Sequence, residues 1–308
     1  MANVDVISLK RRTAWLSVVS NSLLVILKLV VGIYVGAVSL ISEAMHSGVD
    51  LIAAAIAFWA VRKAVAPPDK GHDYGHGKFE NLSSAVEALL IVATAVFIIY
   101  EAVNKFNTPI DPEFLQYGIY IMLISIVVNL AVSQRLISVA KKTGSQALEA
   151  DGLHLRADVW TSVGVVLGLI GIKIFGFLWL DPVIAIAVAL IIFRAGYKMV
   201  VESAKELTDT SLSSEEELVI GNLLLNNPVV DGFHCLRTRH SGSEKLIDVH
   251  VTFDENLTLS QVHEACDDVE NQIKAKLGDI DITIHPEPVK KKPLTNKRIV
   301  LNSVHDVK

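Results

Sequence analysis

The sequence predicts a membrane α-helical bundle of six transmembrane helices, followed by a cytoplasmic α+β domain with the order α-β-β-α-β. Three observations lead there. Apolar residues make up 51% of the 308 and mean hydropathy is +0.45, high for a soluble chain of this length. Six apolar segments are each long enough to cross a bilayer as a helix. After Thr208 the composition turns polar, and the apolar spacing becomes that of short strands and amphipathic helices. A chain of this length holds roughly two domains, expected as a bundle over 1–208 and a cytoplasmic domain over 209–288, with a disordered tail over 289–308.

The first span is expected over about Thr13 to Val35, with Lys28 inside it as a snorkelling or paired cation without an assigned role. The second runs over about Val38 to Val65 and stops before Pro67-Pro68. The third runs over about Leu82 to Val103, the fourth over about Phe114 to Ala140, and the fifth over about Ala150 to Phe175. The sixth enters at Asp181-Pro182, a good helix start, and reaches about Val201. Helices must carry these spans, because hydrocarbon offers no partner to free backbone groups. One set of ends holds Lys10, Arg11, Arg12, Arg62, Lys63, Lys70, Lys78, Arg135, Lys141, Lys142, Lys198 and Lys205, against Lys105 and Lys173 at the other. This bias puts both termini in the cytoplasm. The first apolar segment is too long for a cleavable signal and lacks a small-residue cleavage site.

In the polar part, Ser213-Ser214 before Glu215 to Glu217 starts a helix that ends near Asn226-Asn227-Pro228. Phe233 to His240 and Leu246 to Phe253 alternate as strands around a Ser241-Gly242-Ser243 turn. Leu259 to Leu277 has helical periodicity, Gly278 ends it, and Ile280 to His285 forms the last strand. The expected result is a small sheet covered by helices on one face. A net charge of −5 excludes the basic footprint of a nucleic-acid binder. Cys235 and Cys266 make no disulfide framework and fit a reduced compartment.

His46 with Asp50 in the second span, and His154 with Asp158 in the fifth, carry the functional signal. Spacing of i, i+4 puts each pair on one helix face. Ionisable groups inside a span mark an ion path or relay by default, and two imidazoles with two carboxylates form a four-ligand set suited to Zn²⁺. The second span descends and the fifth ascends, so His46 comes level with Asp158 and Asp50 with His154. Zn²⁺ with two carboxylates and two neutral imidazoles sums to zero charge, so the loaded site is tolerable in low dielectric. The unloaded site needs protons to compensate its carboxylates, which points to exchange of metal for protons. Glu43 could act as an outer relay, Glu87 reads as structurally paired, and Asp151 sits near the cytoplasmic end.

SEAMHSGVDL, YGHGKFE and LHLRADVWTS together resemble the cation diffusion facilitator family of metal efflux transporters, over nearly the whole chain to about Pro288. The resemblance implies a homodimer in the cell inner membrane, divalent-cation/proton antiport, and a ferredoxin-like cytoplasmic domain. It carries the transport site onto His46, Asp50, His154 and Asp158. Histidine at position 46 resembles the zinc-selective version of the site, where some bacterial members have Asp. Nitrogen ligands also favour Zn²⁺ over Mn²⁺, while Cd²⁺, Co²⁺, Fe²⁺ and Ni²⁺ stay open as cargo.

Asp69, His72 and His76 resemble the family's loop site, with Asp73 as a further oxygen; the alternative is a solvated polar connector. His234, His250, His263, His285 and Glu287 are assigned by the resemblance to a two-metal site at the dimer interface, with Glu287 where aspartate is common. Cys235 reads as a small buried residue that could add affinity for soft metals beside His234. Lys78 and Asp209 could form a charge interlock; headgroup contact and helix capping are the alternatives. An intramembrane zinc hydrolase would need an open metal position and a general base, and no H-E-x-x-H is present. A non-transporting metal sensor or scaffold dimer would not need the His46/Asp50/His154/Asp158 set.

Overall fold

The computed structural model describes residues 2–35, 38–105, 115–175, 179–278 and 280–289. The expected tail over 289–308 therefore falls outside the described residues, apart from Val289. Contacts divide the chain into two units at Leu207 and Thr208.

The first unit is helical: α1 (Ala2–Val35), α2 (Val38–Ala64), α3 (Lys78–Lys105), α4 (Leu115–Thr143), α5 (Gln146–Phe175) and α6 (Leu180–Leu207). Several helices begin before their apolar run, α1 by eleven residues, because nothing in those polar turns breaks a helix. α2 stops ahead of Pro67, as the clash of a proline ring with the preceding residue requires. Gly144, at φ 64°, turns the chain between α4 and α5.

Among the described residues four helices are long and apolar enough to cross a membrane: α1, α3, α4 and α6. The described parts of α2 and α5 carry too much charge for that test. Asp50, Arg62 and Lys63 lie in the one, and Glu149, Asp151, Arg156 and Asp158 in the other. α5 packs against each of the other five helices, and of its charged residues Asp151 is buried in the bundle and Asp158 partly so, while Glu149 and Arg156 stay exposed.

Close approach depends on small side chains, since apolar surface alone does not drive helices together in lipid. Ala53, Ala54, Ala57 and Ala60 line the buried side of α2, and Ala88 and Ala95 that of α3. A β-carbon on Gly152 would lie 2.7 Å from Ile137 Cγ1, and one on Gly196 would lie 2.9 Å from Ile91 Cγ2. Leu23, Ile26, Val30, Leu89, Val96, Phe97, Val127, Leu190 and Ile191 point outward, as lipid-facing residues do. Buried polar contacts tie the helix starts: Lys10 Nζ donates to Glu80 Oε1 at 3.1 Å, and the Ser145 hydroxyl donates to Glu80 Oε2 at 2.5 Å. Asn81 Nδ2 donates to Gln146 Oε1 at 2.7 Å.

The second unit contains α7 (Ser214–Asn226), β1 (Gly232–Ser241), β2 (Glu244–Phe253), α8 (Leu259–Leu277) and β3 (Ile280–Pro288). Capping boxes start both helices, Ser213 with Glu216 and Thr258 with Gln261. The sheet order is β1-β2-β3, with β1 and β2 antiparallel and β2 and β3 parallel. Ile247, Val249, Val251 and Phe253 alternate along β2 into a core shared with Ile220 and Leu224 of α7 and Val269 and Ile273 of α8. Their alternation leaves Asp248, His250 and Thr252 on the opposite face.

Candidate metal centres

In the helical unit Asp50 and His154 are both buried and meet, with His154 Nε2 3.2 Å from Asp50 Oδ1. Asp158 joins them: one ligand atom from each of Asp50, His154 and Asp158 lies within 4.8 Å of the other two. α2 supplies the first and successive turns of α5 the others. The side chain of His46 lies outside the described residues, although its backbone is part of α2. Glu43 lies outside them in the same way. Oxygen and nitrogen donors converging in a buried pocket can hold a dehydrated divalent cation, because two carboxylates offset its charge.

Three neighbours complete the surroundings of this cluster. Lys28 takes the paired alternative: it is buried and donates to Ser47 Oγ at 2.7 Å, one turn before Asp50. Glu87 differs from the expected structural pairing: it is fully buried, neither of its oxygens is hydrogen-bonded among the described residues, and Ser83 one turn earlier stands near but outside bonding geometry. Asp151, near the start of α5, is buried, and both carboxylates are within electrostatic reach of His154. Nothing in the spacing of Glu87 signals this, since its neighbour is on another helix.

The loop after α2 brings together Asp69, His72 and His76. His72 Nδ1 is 3.1 Å from Asp69 Oδ1, and His76 Nε2 is 3.1 Å from Asp69 Oδ2. The latter approach is off the line of a hydrogen bond. A backbone bridge between Asp69 and His72 closes the turn, and the Gly71 N–H donates to Asp69 Oδ1 at 2.9 Å. That amide, with the His72 ring, lowers the Asp69 carboxyl to about 2. Asp73 does not join the group among the described residues.

In the sheet, register does the assembly. His234 of β1 stands opposite His250 of β2, and His250 opposite His285 of β3, so three imidazoles form one rung across the sheet. Glu287, two residues beyond His285, shares its face. The Glu287 carboxylate lies 2.9 Å from His250 Nδ1, 3.5 Å from His234 Nε2 and 3.7 Å from His285 Nε2. Its carboxyl is lowered, first by the His250 contact. His263 stays apart on α8, exposed and 3.7 Å from Asp267.

Cys235 is exposed, not buried, and its sulfur lies within 4.8 Å of ligand nitrogens of His234 and His250. The β1–β2 register shifts between His234 and Arg237 and brings it there, where strand alternation alone would have turned it away. Lys78 Nζ donates to the Glu206 carbonyl at 2.7 Å, and Asp209 Oδ2 accepts from Arg239 Nη1 at 3.2 Å, so each has a neighbour in its own unit.

Residues 14–208 match the family model of the cation efflux transmembrane domain, and residues 212–289 that of the cation efflux protein cytoplasmic domain. The chain is 35% identical over 257 residues to an uncharacterized transporter of Synechocystis sp., covering 82% of each. It is 31% identical over 291 residues to the cation-efflux pump FieF of Citrobacter koseri, covering 94% of this chain and 97% of that one. The FieF pump of Shewanella oneidensis is 30% identical over 279 residues, covering 91% and 94%. With both family models spanning the two units, this multi-pass membrane protein belongs to the cation diffusion facilitator family of cation efflux transporters.

Proposed function

We propose that this protein exports divalent metal ions, zinc foremost, in exchange for protons through a tetrahedral site of His46, Asp50, His154 and Asp158. The observation that carries this is the convergence of Asp50, His154 and Asp158 inside the bundle. Metal arriving from the cytoplasm would neutralise the two carboxylates. Its departure on the far side would leave them to be compensated by incoming protons, and the helices would rock between the two openings around this site. Two nitrogen donors suit Zn²⁺ better than Mn²⁺, with Cd²⁺, Co²⁺, Fe²⁺ and Ni²⁺ as lesser cargo.

Six spans, α1 to α6, serve this role in the cell inner membrane with both termini in the cytoplasm. The charged α2 and α5 are tolerated because Asp50, Asp151 and His154 lie inside the bundle. The bundle ends near residue 208, and residues 209–288 form a ferredoxin-like domain through which two copies dimerise, followed by a disordered tail. Asp69, His72 and His76 form an exchangeable loop site with one open position. His234, His250, His285 and Glu287 bind metal in the cytoplasmic domain, and His263 joins them from the partner copy. A Lys78–Asp209 interlock links helices and domain during the transport cycle.

Reconstituted vesicles provide the test. Asp50→Ala should abolish zinc flux and the accompanying proton movement while the protein stays dimeric. Unchanged flux in that variant removes the transport site from the mechanism, and flux without proton movement removes the antiport.

A further inference from the structure

In a regular strand His234 and Cys235 would point to opposite faces of the sheet, so the two could not serve one ion. β1 is not regular there. His234 pairs with His250 and Arg237 with Asp248, so three steps on β1 match two on β2. This is a β-bulge, one extra residue that re-aims side chains locally. Cys235 occupies it at φ 51°, a left-handed conformation that non-glycine residues seldom take. The consequence is chemical: Sγ of Cys235 and ligand nitrogens of His234 and His250 all lie within 4.8 Å of one another, and Cys235 is exposed to solvent.

The sheet thus carries two overlapping ligand sets. His250, His285 and Glu287 form one, with an oxygen donor; His234, Cys235 and His250 form the other, with a sulfur donor. Thiolate ligands prefer soft and borderline ions, whereas carboxylates suit harder ones.

We propose that the bulge makes His234, Cys235 and His250 a thiolate metal site for a soft or borderline divalent ion such as Zn²⁺ or Cd²⁺, separate in ligand class from the oxygen-bearing set beside it. The thiol loses its proton as the metal–sulfur bond forms, and solvent takes that proton. Three protein ligands leave a fourth position for water or for His285. The sets share His250, so filling the soft site reduces the donors left to the other. This rests on the reading of the sheet cluster as a metal centre, not on transport.

Cd²⁺ added to the full-length protein in detergent gives the test, read by the ultraviolet sulfur-to-metal charge-transfer band and by bound cadmium after dialysis. The chain has two cysteines, so the band has two possible sources. The expected result is a band that disappears in Cys235→Ser and persists in Cys266→Ser. Asp50→Ala should leave it intact, because that cluster has no sulfur. A band that persists in Cys235→Ser, or that never forms, overturns the proposal. If no band forms but His250→Ala still lowers bound cadmium, the histidine centre stands without its sulfur. If His250→Ala also changes nothing, both readings fall.

Discussion

At the scale of single residues, Asp69 shows how a loop presets a ligand. The Gly71 amide and the His72 ring hold its carboxyl at about 2, so it remains ionised throughout the physiological range. A depressed carboxylate stabilises its contacts fully above its ordinary value near 3.8 and loses that contribution as pH falls through about 2. Acid release of metal from the loop between pH 7 and 5 is then not set by Asp69, whose carboxyl stays ionised across that range. Asp69→Asn should weaken zinc binding by the same factor at both pH values, measured calorimetrically in protein that also carries Asp50→Ala and His250→Ala. A penalty that shrinks at the lower pH would show Asp69 itself taking up protons there. The H-x-x-x-D pairs of α2 and α5 stood out in the sequence because charges in apolar runs are rare. The burial of Glu87 without a hydrogen bond among the described residues did not, because it depends on what α5 brings opposite.

At the scale of elements, the helix and strand boundaries were legible from Pro67-Pro68, Asp181-Pro182, Ser213-Ser214 ahead of Glu215 to Glu217, the Ser241-Gly242-Ser243 turn and Gly278, which act locally. The β1 bulge was not, since it is a mismatch between two strands rather than a property of either. The meeting of α4 and α5 depends on Gly152, whose backbone faces Leu136 and Ile137 at close range. Gly152→Val would place carbon where Ile137 Cγ1 already sits, at 2.7 Å from the first added atom. Overpacking of this kind costs about 1–3 kcal/mol. The variant should melt at lower temperature in detergent, and it should lose flux because α5 carries His154 and Asp158. An unchanged melting temperature would mean that the two helices separate without cost.

At the scale of the whole molecule, the two units set similar side chains in different surroundings. The helical unit buries its cluster and the sheet exposes its own: His234 and His285 are 47% and 62% accessible at the side chain, against 4% for His154. An exposed site can equilibrate with cytosolic metal, whereas a buried one must be opened to exchange. Deleting residues 209–308 should therefore give a protein that still moves zinc in vesicles but no longer speeds up as cytosolic-side metal rises, and that runs as a monomer in light scattering. A truncated dimer with the same metal-dependent rates would deny the sheet any regulatory part.

The Lys10–Glu80 ion pair makes two distant segments depend on each other. Lys10 lies near the start of α1 and Glu80 near the start of α3, and both are buried, at 3% and 1% exposure. Removing one partner of a buried pair costs several kcal/mol. The two positions are 70 residues apart in the chain, so the burial of the Glu80 carboxylate in α3 is compensated by a residue of α1. Ser145, in the turn before α5, donates to its second oxygen, and one carboxylate thereby ties three parts of the helical unit together.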